Sequence, residues 1–239
     1  HGRLLAVAHT VARFWDLRYY RNRQGVTADC PAPDLVLVNG PGMVSAMTDA
    51  GVDTSRIVEV EALRLGNLGN GVLRPDRHRP TDSTLHLLVL GDYEPSSTAR
   101  LLGLLESATS GLTRSITTTF RPHPNYPVDP SEFPCLELKL TSGPMVEALQ
   151  AADLVLGGNV TSATTESFVL GRRTVVVLDQ SGLNFSPLRS MAGVDFVAND
   201  VELRDILETC DTGVATPQSA ISLFHLDEQL PRWRKLLRI

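Results

Sequence analysis

The chain has 239 residues, of which 42% are hydrophobic and 21% charged, and its formal net charge at pH 7 is −5. This balance excludes a disordered chain, and the acidic charge argues against a dedicated nucleic-acid binder, which needs a basic surface. The longest apolar runs, such as 87–90 and 174–178, are far shorter than the roughly 18 residues that a membrane span needs.

The first 75 residues have the pattern of a short α/β domain. Because a strand pattern begins almost at the first residue, we expect the chain to be truncated and this domain to be partial. A polar stretch over 74–83, with two prolines and three arginines, predicts a linker or exposed loop. The predicted elements are strands at 4–8, 35–38 and 57–60 and a helix over 44–50.

Residues 84–215 alternate more regularly between apolar runs and helical stretches, which favours a parallel sheet covered by helices on both faces. We predict a Rossmann-like domain here, and a closing helix in 216–239 whose pattern begins near Phe224. The predicted strands are 85–90, 115–120, 136–140, 154–156, 174–178 and 195–197, and the predicted helices are 97–107, 144–151, 162–170 and 201–208.

The strongest candidate binding segment is 157–166, a loop rich in Gly, Thr and Ser between a predicted strand and a helix. Small residues let a ligand approach the backbone, and the free N–H groups of a helix start can bind phosphate. A carboxylate one turn into the helix suits a ribose diol. Taken alone, the loop is better explained as the capped start of a helix that binds no ligand. The predicted nucleotide-binding residues here are Gly158, Thr161, Ser162, Thr165 and Glu166.

The Arg-Pro-His-Pro segment at 121–124 directly follows the predicted strand at 115–120. Its prolines stiffen the strand exit, so that Arg121 and His123 can be aimed at a phosphate. An exposed strand exit is an equally good interpretation of this segment alone. Because this segment and 157–166 both follow strands at one sheet edge, their convergence favours a ligand site. Pro124 completes the predicted set.

Gly91 follows the first strand of this domain and is predicted to lie beside the phosphates, although the segment 91–94 lacks a GxGxxG motif. Asp92 and Glu94 resemble a metal-binding pair only weakly, and a turn is the better interpretation. The sequence predicts no metal site and no cofactor. It contains no GxxxxGK[ST], GxSxG, HExxH or DxD motif, which weighs against kinase-like, hydrolase-like, metalloprotease and metal-dependent single-domain transferase functions.

In the first domain, His9 ends the opening strand and precedes a stretch of aromatic residues interleaved with arginines. His9 and Asp16 are the candidate general bases. The residues predicted to contact a sugar or an anionic acceptor are Arg13, Trp15 and Arg18. A half-buried, half-solvated helix is a somewhat better interpretation of this stretch alone.

The segment 157–178 resembles the nucleotide-binding signature of GT-B glycosyltransferases, a Gly/Thr/Ser loop followed by a helix with a Glu, then Gly and an apolar strand. Glu166 matches the Glu that holds the ribose in the peptidoglycan N-acetylglucosaminyltransferase. The segment 121–124 resembles the HP motif of bacterial sialyltransferases and polyglycerolphosphate transferases, which use CMP- or CDP-activated donors. The resemblance implies that Thr161-Ser162 is their second phosphate motif.

The segments 9–19, 61–64 and 226–233 together resemble a family of bacterial surface-carbohydrate biosynthesis proteins. The resemblance implies an α/β, GT-B-like, metal-independent transferase that moves a sugar to a carbohydrate or lipid-linked acceptor of capsule or lipopolysaccharide. It implies nucleotide-sugar binding by residues 84–215 and an acceptor-side role for the partial domain of residues 1–75. It favours CMP-Kdo or CMP-sialic acid as donor, with Arg121 and His123 stabilising the leaving phosphate. The acidic triplet that serves the sialyltransferases as base is absent, so we expect it in a missing N-terminal portion or a different mechanism.

Two other functions stay open, a sugar-nucleotide 2-epimerase and a non-catalytic GT-B module that binds nucleotide.

The three cysteines, Cys30, Cys135 and Cys210, are scattered and form no CxxC pair, which predicts a reduced cytoplasmic chain. Peripheral contact with the inner face of the membrane through the basic end of the closing helix is an open alternative to plain packing. The oligomeric state is not predicted.

Overall fold

The computed structural model describes residues 2–11, 13, 33–69, 84–179, 183–189, 191–210 and 223–238. The chain divides into two compact units: unit 1 comprises residues 1–70 and 218–239, and unit 2 comprises residues 71–217. The predicted linker over 74–83 lies outside the described residues.

Unit 1 contains a three-stranded parallel sheet in the order β1-β2-β3. The helix that follows β2 begins directly after it, with a proline in the first turn, where a missing N–H group costs nothing. This helix buries Met43 and Met47 against Val38 of the sheet. The described elements of unit 1 are β1 (Leu5–Val7), β2 (Leu35–Val38), α1 (Pro41–Asp49), β3 (Ile57–Glu59), α2 (Gly66–Gly69) and, from the far end of the chain, α7 (Pro231–Leu237).

Unit 2 contains a six-stranded parallel sheet in the order β6-β5-β4-β7-β8-β9. The strands are β4 (Leu85–Leu90), β5 (Ile116–Arg121), β6 (Leu138–Leu140), β7 (Leu154–Gly158), β8 (Arg173–Val177) and β9 (Val194–Val197). Among the residues that the structure describes, the helices of unit 2 are α3 (Pro95–Thr109), α4 (Met145–Ala151), α5 (Ala163–Val169) and α6 (Asp200–Thr209).

The core of unit 2 follows from the apolar runs of its central strands. Leu87 and Val89 of β4 lie in the cluster that α3 and α6 cover on one face of the sheet. Leu88 and Leu90 alternate with them and are also buried, so the opposite face is covered as well. The predicted α/β fold with parallel sheets is therefore confirmed, and β2 and β4 have the predicted bounds.

The order of the strands reverses beside β4. The chain runs from β4 outward to β5 and β6, and then crosses back to β7 on the other side of β4. In open α/β sheets, ligands bind outside the carboxyl ends of the strands at such a reversal point. The adjoining ends of β4, β5 and β7 are therefore the first place to look for a site.

The last described segment differs from its prediction. The helix begins at Pro231 rather than near Phe224, because Leu230 adopts a left-handed backbone conformation (φ 53°) and Pro231 then fits the first helical turn. The residues before it run alongside the loops of unit 1, where the N–H of His225 donates to the carbonyl oxygen of Asn39 at 3.0 Å.

Candidate functional site

Strand register brings the predicted binding segments of unit 2 together. Leu90 at the end of β4 pairs with Arg121 on one side and with Gly157 on the other. The N–H of Gly91 donates to the carbonyl oxygen of Arg121 at 2.8 Å. The loops that follow β4, β5 and β7 therefore start side by side, as the convergence of the two motifs predicted.

Glycines let these loops approach each other. A Cβ atom on Gly91 would lie 2.8 Å from the backbone nitrogen of His123, and one on Gly158 would lie 2.8 Å from Oδ2 of Asp92. A Cβ on Gly157 would lie 2.5 Å from Cγ2 of Thr164. The glycines therefore let the loops pack against each other, and the room that the sequence predicts for a ligand stays a prediction.

The imidazole of His123 is held by the tight turn that follows it. The N–H of Asn125 donates to Nδ1 of His123 at 3.3 Å, and the ring centroid lies 5.7 Å from that of Tyr126. Because Nδ1 accepts this hydrogen bond, the proton of the neutral ring lies on Nε2. The half-buried ring can therefore offer an N–H donor to an anionic ligand.

Arg121 lies at the end of β5 with its side chain half-buried. Its Nη1 group donates to the carbonyl oxygen of Gly143, in the turn before α4. A guanidinium has five N–H donors, so this bond fixes the orientation of the side chain and leaves further donors for a ligand. Pro124, which was predicted beside it, is exposed in the turn with His123.

Asp92 lies where the strand order reverses, and its carboxylate is buried. The sequence did not predict this burial. Its side chain is next to Gly158, its residue is only 2% exposed, and Oδ1 accepts the N–H of Tyr93 at 2.6 Å. The N–H of Asp92 donates to Oγ1 of Thr98 at 2.8 Å. Glu94 precedes α3 and accepts a long hydrogen bond from Ser97. Both acidic residues thus contribute to the turn that the sequence favoured.

The start of α5 is capped less strongly than predicted. Ser162 is the N-cap residue and makes no side-chain cap bond, while Oγ1 of Thr161 accepts the N–H of Ala163 at 3.4 Å. Thr165 is fully buried, and within the described residues its Oγ1 has no hydrogen-bond partner. Glu166 lies in the first turn and is half-buried. A buried, unspent hydroxyl in a predicted binding loop is unusual, because such groups are normally hydrogen-bonded.

Asn159 holds a second loop, residues 183–186, at this edge of the sheet. The sequence did not predict this contact. Its Nδ2 group donates to the carbonyl oxygen of Leu183 at 2.7 Å, and its Oδ1 accepts the N–H groups of Phe185 and Ser186, each at 3.1 Å. The only sequence signal was an Asn directly after Gly157-Gly158. The amide fixes the segment 183–186 beside the end of β7.

The carboxyl edge of the unit 1 sheet also collects polar side chains. His9 follows β1, is exposed and makes no hydrogen bond within the described residues. Asn39 follows β2, is 5% exposed, and donates from Nδ2 to the carbonyl oxygen of Thr10 at 3.2 Å. In the described part of the chain, its buried Oδ1 has no partner.

Glu59 and His225 form a pair at this same edge. Nε2 of His225 lies 2.6 Å from Oε2 of Glu59, and the backbone of His225 is fixed by hydrogen bonds to Asn39 and Ala62. If Nε2 donates to the carboxylate, Nδ1 keeps a lone pair and can accept a proton. Because the partners lie 166 positions apart in the sequence, no local sequence pattern could have shown this pair.

Glu61 joins the two ends of unit 1. It is 2% exposed and accepts the N–H groups of Arg232 and Trp233, at 3.0 and 3.1 Å, and Nη1 of Arg232 at 3.2 Å. Burial acts to raise the pKa of Glu61, but these hydrogen bonds outweigh it and lower the pKa below its ordinary value of 4.5. The carboxylate therefore caps α7, which identifies a structural contact between segments 61–64 and 226–233.

No protein-family profile matches the sequence, and no curated protein matches it significantly. Solved structures do match its fold. HepE from Anabaena, in complex with UDP-glucose, has a TM-score of 0.58 at 13% identity over 99% of this chain and 72% of its own. The glycotransferase of kitacinnamycin has a TM-score of 0.51 at 17% identity over 80% of this chain, which spans 49% of that enzyme.

A putative UDP-N-acetylglucosamine 2-epimerase from Listeria monocytogenes has a TM-score of 0.54 at 12% identity, over 85% of this chain and 57% of its own. At such identities the similarity establishes architecture. The chain has the fold of the GT-B glycosyltransferases.

The predicted site residues fall into three groups according to where the structure places them. Those of unit 2 meet at one sheet edge: Gly91, Arg121, His123, Pro124, Gly158, Thr161, Ser162, Thr165 and Glu166. His9 and Arg13 are exposed in unit 1. The remaining predicted residues, Trp15, Asp16 and Arg18, lie outside the described residues.

Two kinds of feature are absent from the described residues. The part of the chain that the structure describes has no cluster of three or more His, Cys, Asp or Glu side chains placed to hold a metal ion. In the same residues, no helix combines the length and the apolar character that crossing a bilayer requires.

Proposed function

We propose that this chain is a glycosyltransferase in which unit 2 binds a nucleotide-activated sugar and unit 1 supplies groups on the acceptor side. The observation that carries the proposal is the meeting of Gly91, the 121–124 segment and the 157–166 loop at the strand-order reversal of unit 2. The structure of HepE with UDP-glucose supports this class of donor for the fold.

In the proposed donor site, Arg121 and Nε2 of His123 bind the phosphate. When the bond between the anomeric carbon and the phosphate oxygen breaks, its electron pair stays on the phosphate. A guanidinium and an imidazole N–H placed there in advance stabilise that growing charge, which is the metal-independent form of this chemistry. Glu166 binds the ribose hydroxyls, and the unspent hydroxyl of Thr165 adds a hydrogen bond.

On the acceptor side, we propose the Glu59–His225 pair as a proton acceptor alongside His9 and Asp16. The acceptor oxygen bonds to the anomeric carbon, and its proton passes to the base. His225 has the advantage of a carboxylate 2.6 Å away, which stabilises the imidazolium once the proton has moved. His225→Gln is expected to lower kcat by about 100-fold with little change in the KM of the donor.

Two donor classes compete within this proposal. The Arg-Pro-His-Pro segment favours a cytidine donor such as CMP-Kdo or CMP-sialic acid, delivered to a capsule or lipopolysaccharide acceptor. HepE with UDP-glucose favours a uridine donor instead. Reduced cysteines are consistent with a cytoplasmic site of action, at or near the inner face of the membrane.

Calorimetry of the chain with CMP, CDP, UDP and GDP tests the donor site. His123→Ala and Glu166→Ala are each expected to weaken the preferred nucleotide by about tenfold or more, the value of a hydrogen bond to a charged group. Glu137→Ala, an exposed residue of unit 2 outside the site, is the control. Absence of binding to every nucleotide contradicts the proposal, and clear preference for UDP rejects the cytidine donor.

A sugar-nucleotide 2-epimerase is the second candidate, because the putative epimerase from Listeria monocytogenes matches the same fold. The two reactions differ in their need for an acceptor. Incubation with UDP-N-acetylglucosamine alone, followed by proton NMR at the C2 position of the sugar, separates them. The transferase predicts an unchanged sugar at C2, whereas inversion there would establish the epimerase.

A further inference from the structure

A cavity of about 270 Å³ lies in unit 2 beneath α4, on the face of the sheet opposite to α3 and α6. Its polar lining consists of His86, Thr119, Thr141 and Glu147, and its apolar lining includes Leu88 and Ala148. No residue of the candidate nucleotide site lines it. It is therefore a separate feature of unit 2 that the proposed donor site does not use.

The sequence explains why space is left here. Helix α4 has only seven residues and turns small side chains, Ala148 and Ala151, toward the cavity. The chain between β5 and β6, residues 122–137, forms one short 3-10 turn at Pro130–Glu132 and no α-helix. The face of β5 that carries Thr117 and Thr119 is thus left half-exposed.

The four polar side chains of the cavity have unspent hydrogen-bonding capacity. Within the described residues, no hydrogen bond is made by the imidazole of His86, the hydroxyls of Thr119 and Thr141, or the carboxylate of Glu147. Two hydroxyls that donate or accept, one carboxylate that accepts and one imidazole offer both kinds of partner. The leucine and alanine side chains between them offer an apolar wall.

A single sugar ring matches this lining. Its hydroxyl groups both donate and accept, and its C–H face packs on apolar side chains. Glu147, which carries the only permanent charge of the lining, repels phosphate and other anions. The volume lies below the range of about 300–1,000 Å³ of pockets that hold drug-sized ligands, and so favours one ring over a longer ligand.

We infer that this cavity binds one neutral monosaccharide unit, at a site distinct from that of the donor nucleotide. Its use as an additional hold on the carbohydrate acceptor rests on the proposed function. The binding itself rests only on the cavity and its polar groups.

Saturation-transfer NMR of the whole chain with glucose, galactose and N-acetylglucosamine, with inorganic phosphate as comparison, tests the inference. At least one neutral sugar is expected to bind with a Kd of about 1 mM, as a few net hydrogen bonds allow. Thr119→Val and Glu147→Gln are each expected to weaken it about fivefold. Thr117→Val, on the same strand and face but outside the lining, is the matched control and leaves the affinity unchanged.

Ala148→Leu fills the cavity and is expected to abolish sugar binding, while the thermal unfolding midpoints of Thr119→Val and Glu147→Gln show that those variants fold. The inference is overturned if no neutral sugar binds, if phosphate binds in preference, or if Thr117→Val weakens sugar binding as much as Thr119→Val does. Displacement of the sugar by saturating CMP or UDP also overturns it, because the sugar then occupies the donor site. Nucleotide binding without sugar binding rejects the cavity site alone, and sugar binding without nucleotide binding rejects the proposed function alone.

Discussion

The two parallel sheets of this chain differ in what lies on their carboxyl edges. In unit 2, the edge is formed by the loops of its own strands, and half-buried polar side chains such as His123 and Glu166 are left at the surface. In unit 1, residues 223–233 run across the corresponding edge and hydrogen-bond to Asn39, Glu61 and Ala62. The strand pattern creates an edge where ligands can bind, but the remaining chain decides how much of that edge stays accessible.

The largest expected effect comes from removing the Glu61 carboxylate, which holds Arg232 and Trp233 at the edge of the unit 1 sheet. Glu61→Ala leaves the N–H groups of Arg232 and Trp233 without their acceptor and is expected to lower the free energy of unfolding by about 3 kcal/mol. Urea denaturation followed by tryptophan fluorescence measures the loss. Glu137→Ala, at an exposed position, is the control and changes stability by less than about 0.5 kcal/mol.

The Glu61→Ala variant also tests whether the two sheet edges act independently. Its nucleotide affinity, measured under conditions where the chain remains folded, is expected to stay within about twofold of the unaltered protein, because the proposed donor site lies wholly in unit 2. A nucleotide affinity that falls as far as the stability would contradict the assignment of the donor site.

A smaller loss of stability, with a larger loss of binding, is expected at Gly91 in unit 2. The added Cβ of Gly91→Ala would lie 2.8 Å from the backbone of His123, so the two loops must separate. We expect stability to fall by about 2 kcal/mol and nucleotide affinity by about tenfold or more. Gly103→Ala, where the new Cβ meets nothing within 4 Å in the middle of α3, is expected to raise stability by about 0.5–1 kcal/mol.

Thr165 provides a test in which stability and binding move in opposite directions. Thr165→Val removes a buried hydroxyl without a partner in the described residues, so stability is expected to rise by about 1 kcal/mol while nucleotide affinity falls. Thr164→Val is the matched control, since the hydroxyl of Thr164 donates to Thr161 at 2.9 Å, and stability should fall by about 1 kcal/mol. An unchanged nucleotide affinity in Thr165→Val would place this hydroxyl outside the donor site.

The smallest expected effect is the loss of the stabilising contribution of Glu61 at acid pH. The folded pKa of Glu61 lies below its ordinary value of 4.5, so its stabilising contribution is complete above pH 4.5 and is lost as the pH falls through the folded value. The stability difference between the unaltered chain and Glu61→Gln should therefore be constant near neutral pH and shrink below pH 4.5. A difference that grows in acid would reverse the sign of the argument.

Sequence reasoning succeeded where structure depends on nearby residues. The continuous apolar run of β4 predicted a strand buried on both faces, and the parallel arrangement predicted that Arg121 and Gly158 would come to one edge. It did not predict the capping of α7 by Glu61 or the pairing of Glu59 with His225, because each contact joins residues more than 160 positions apart. It also extended the last helix back to Phe224, where apolar spacing was outweighed by backbone hydrogen bonds to distant loops.

The contact between Glu61 and α7 also sets the order in which the chain can fold. Unit 2 is one continuous segment, 71–217, and all of it is synthesised before residues 223–238 leave the ribosome. Domains usually fold in the order of their synthesis, but the edge of unit 1 must wait for the far end of the chain. We therefore expect unit 2 to complete its core first on the ribosome, while Glu61 stays hydrated until Arg232 and Trp233 emerge.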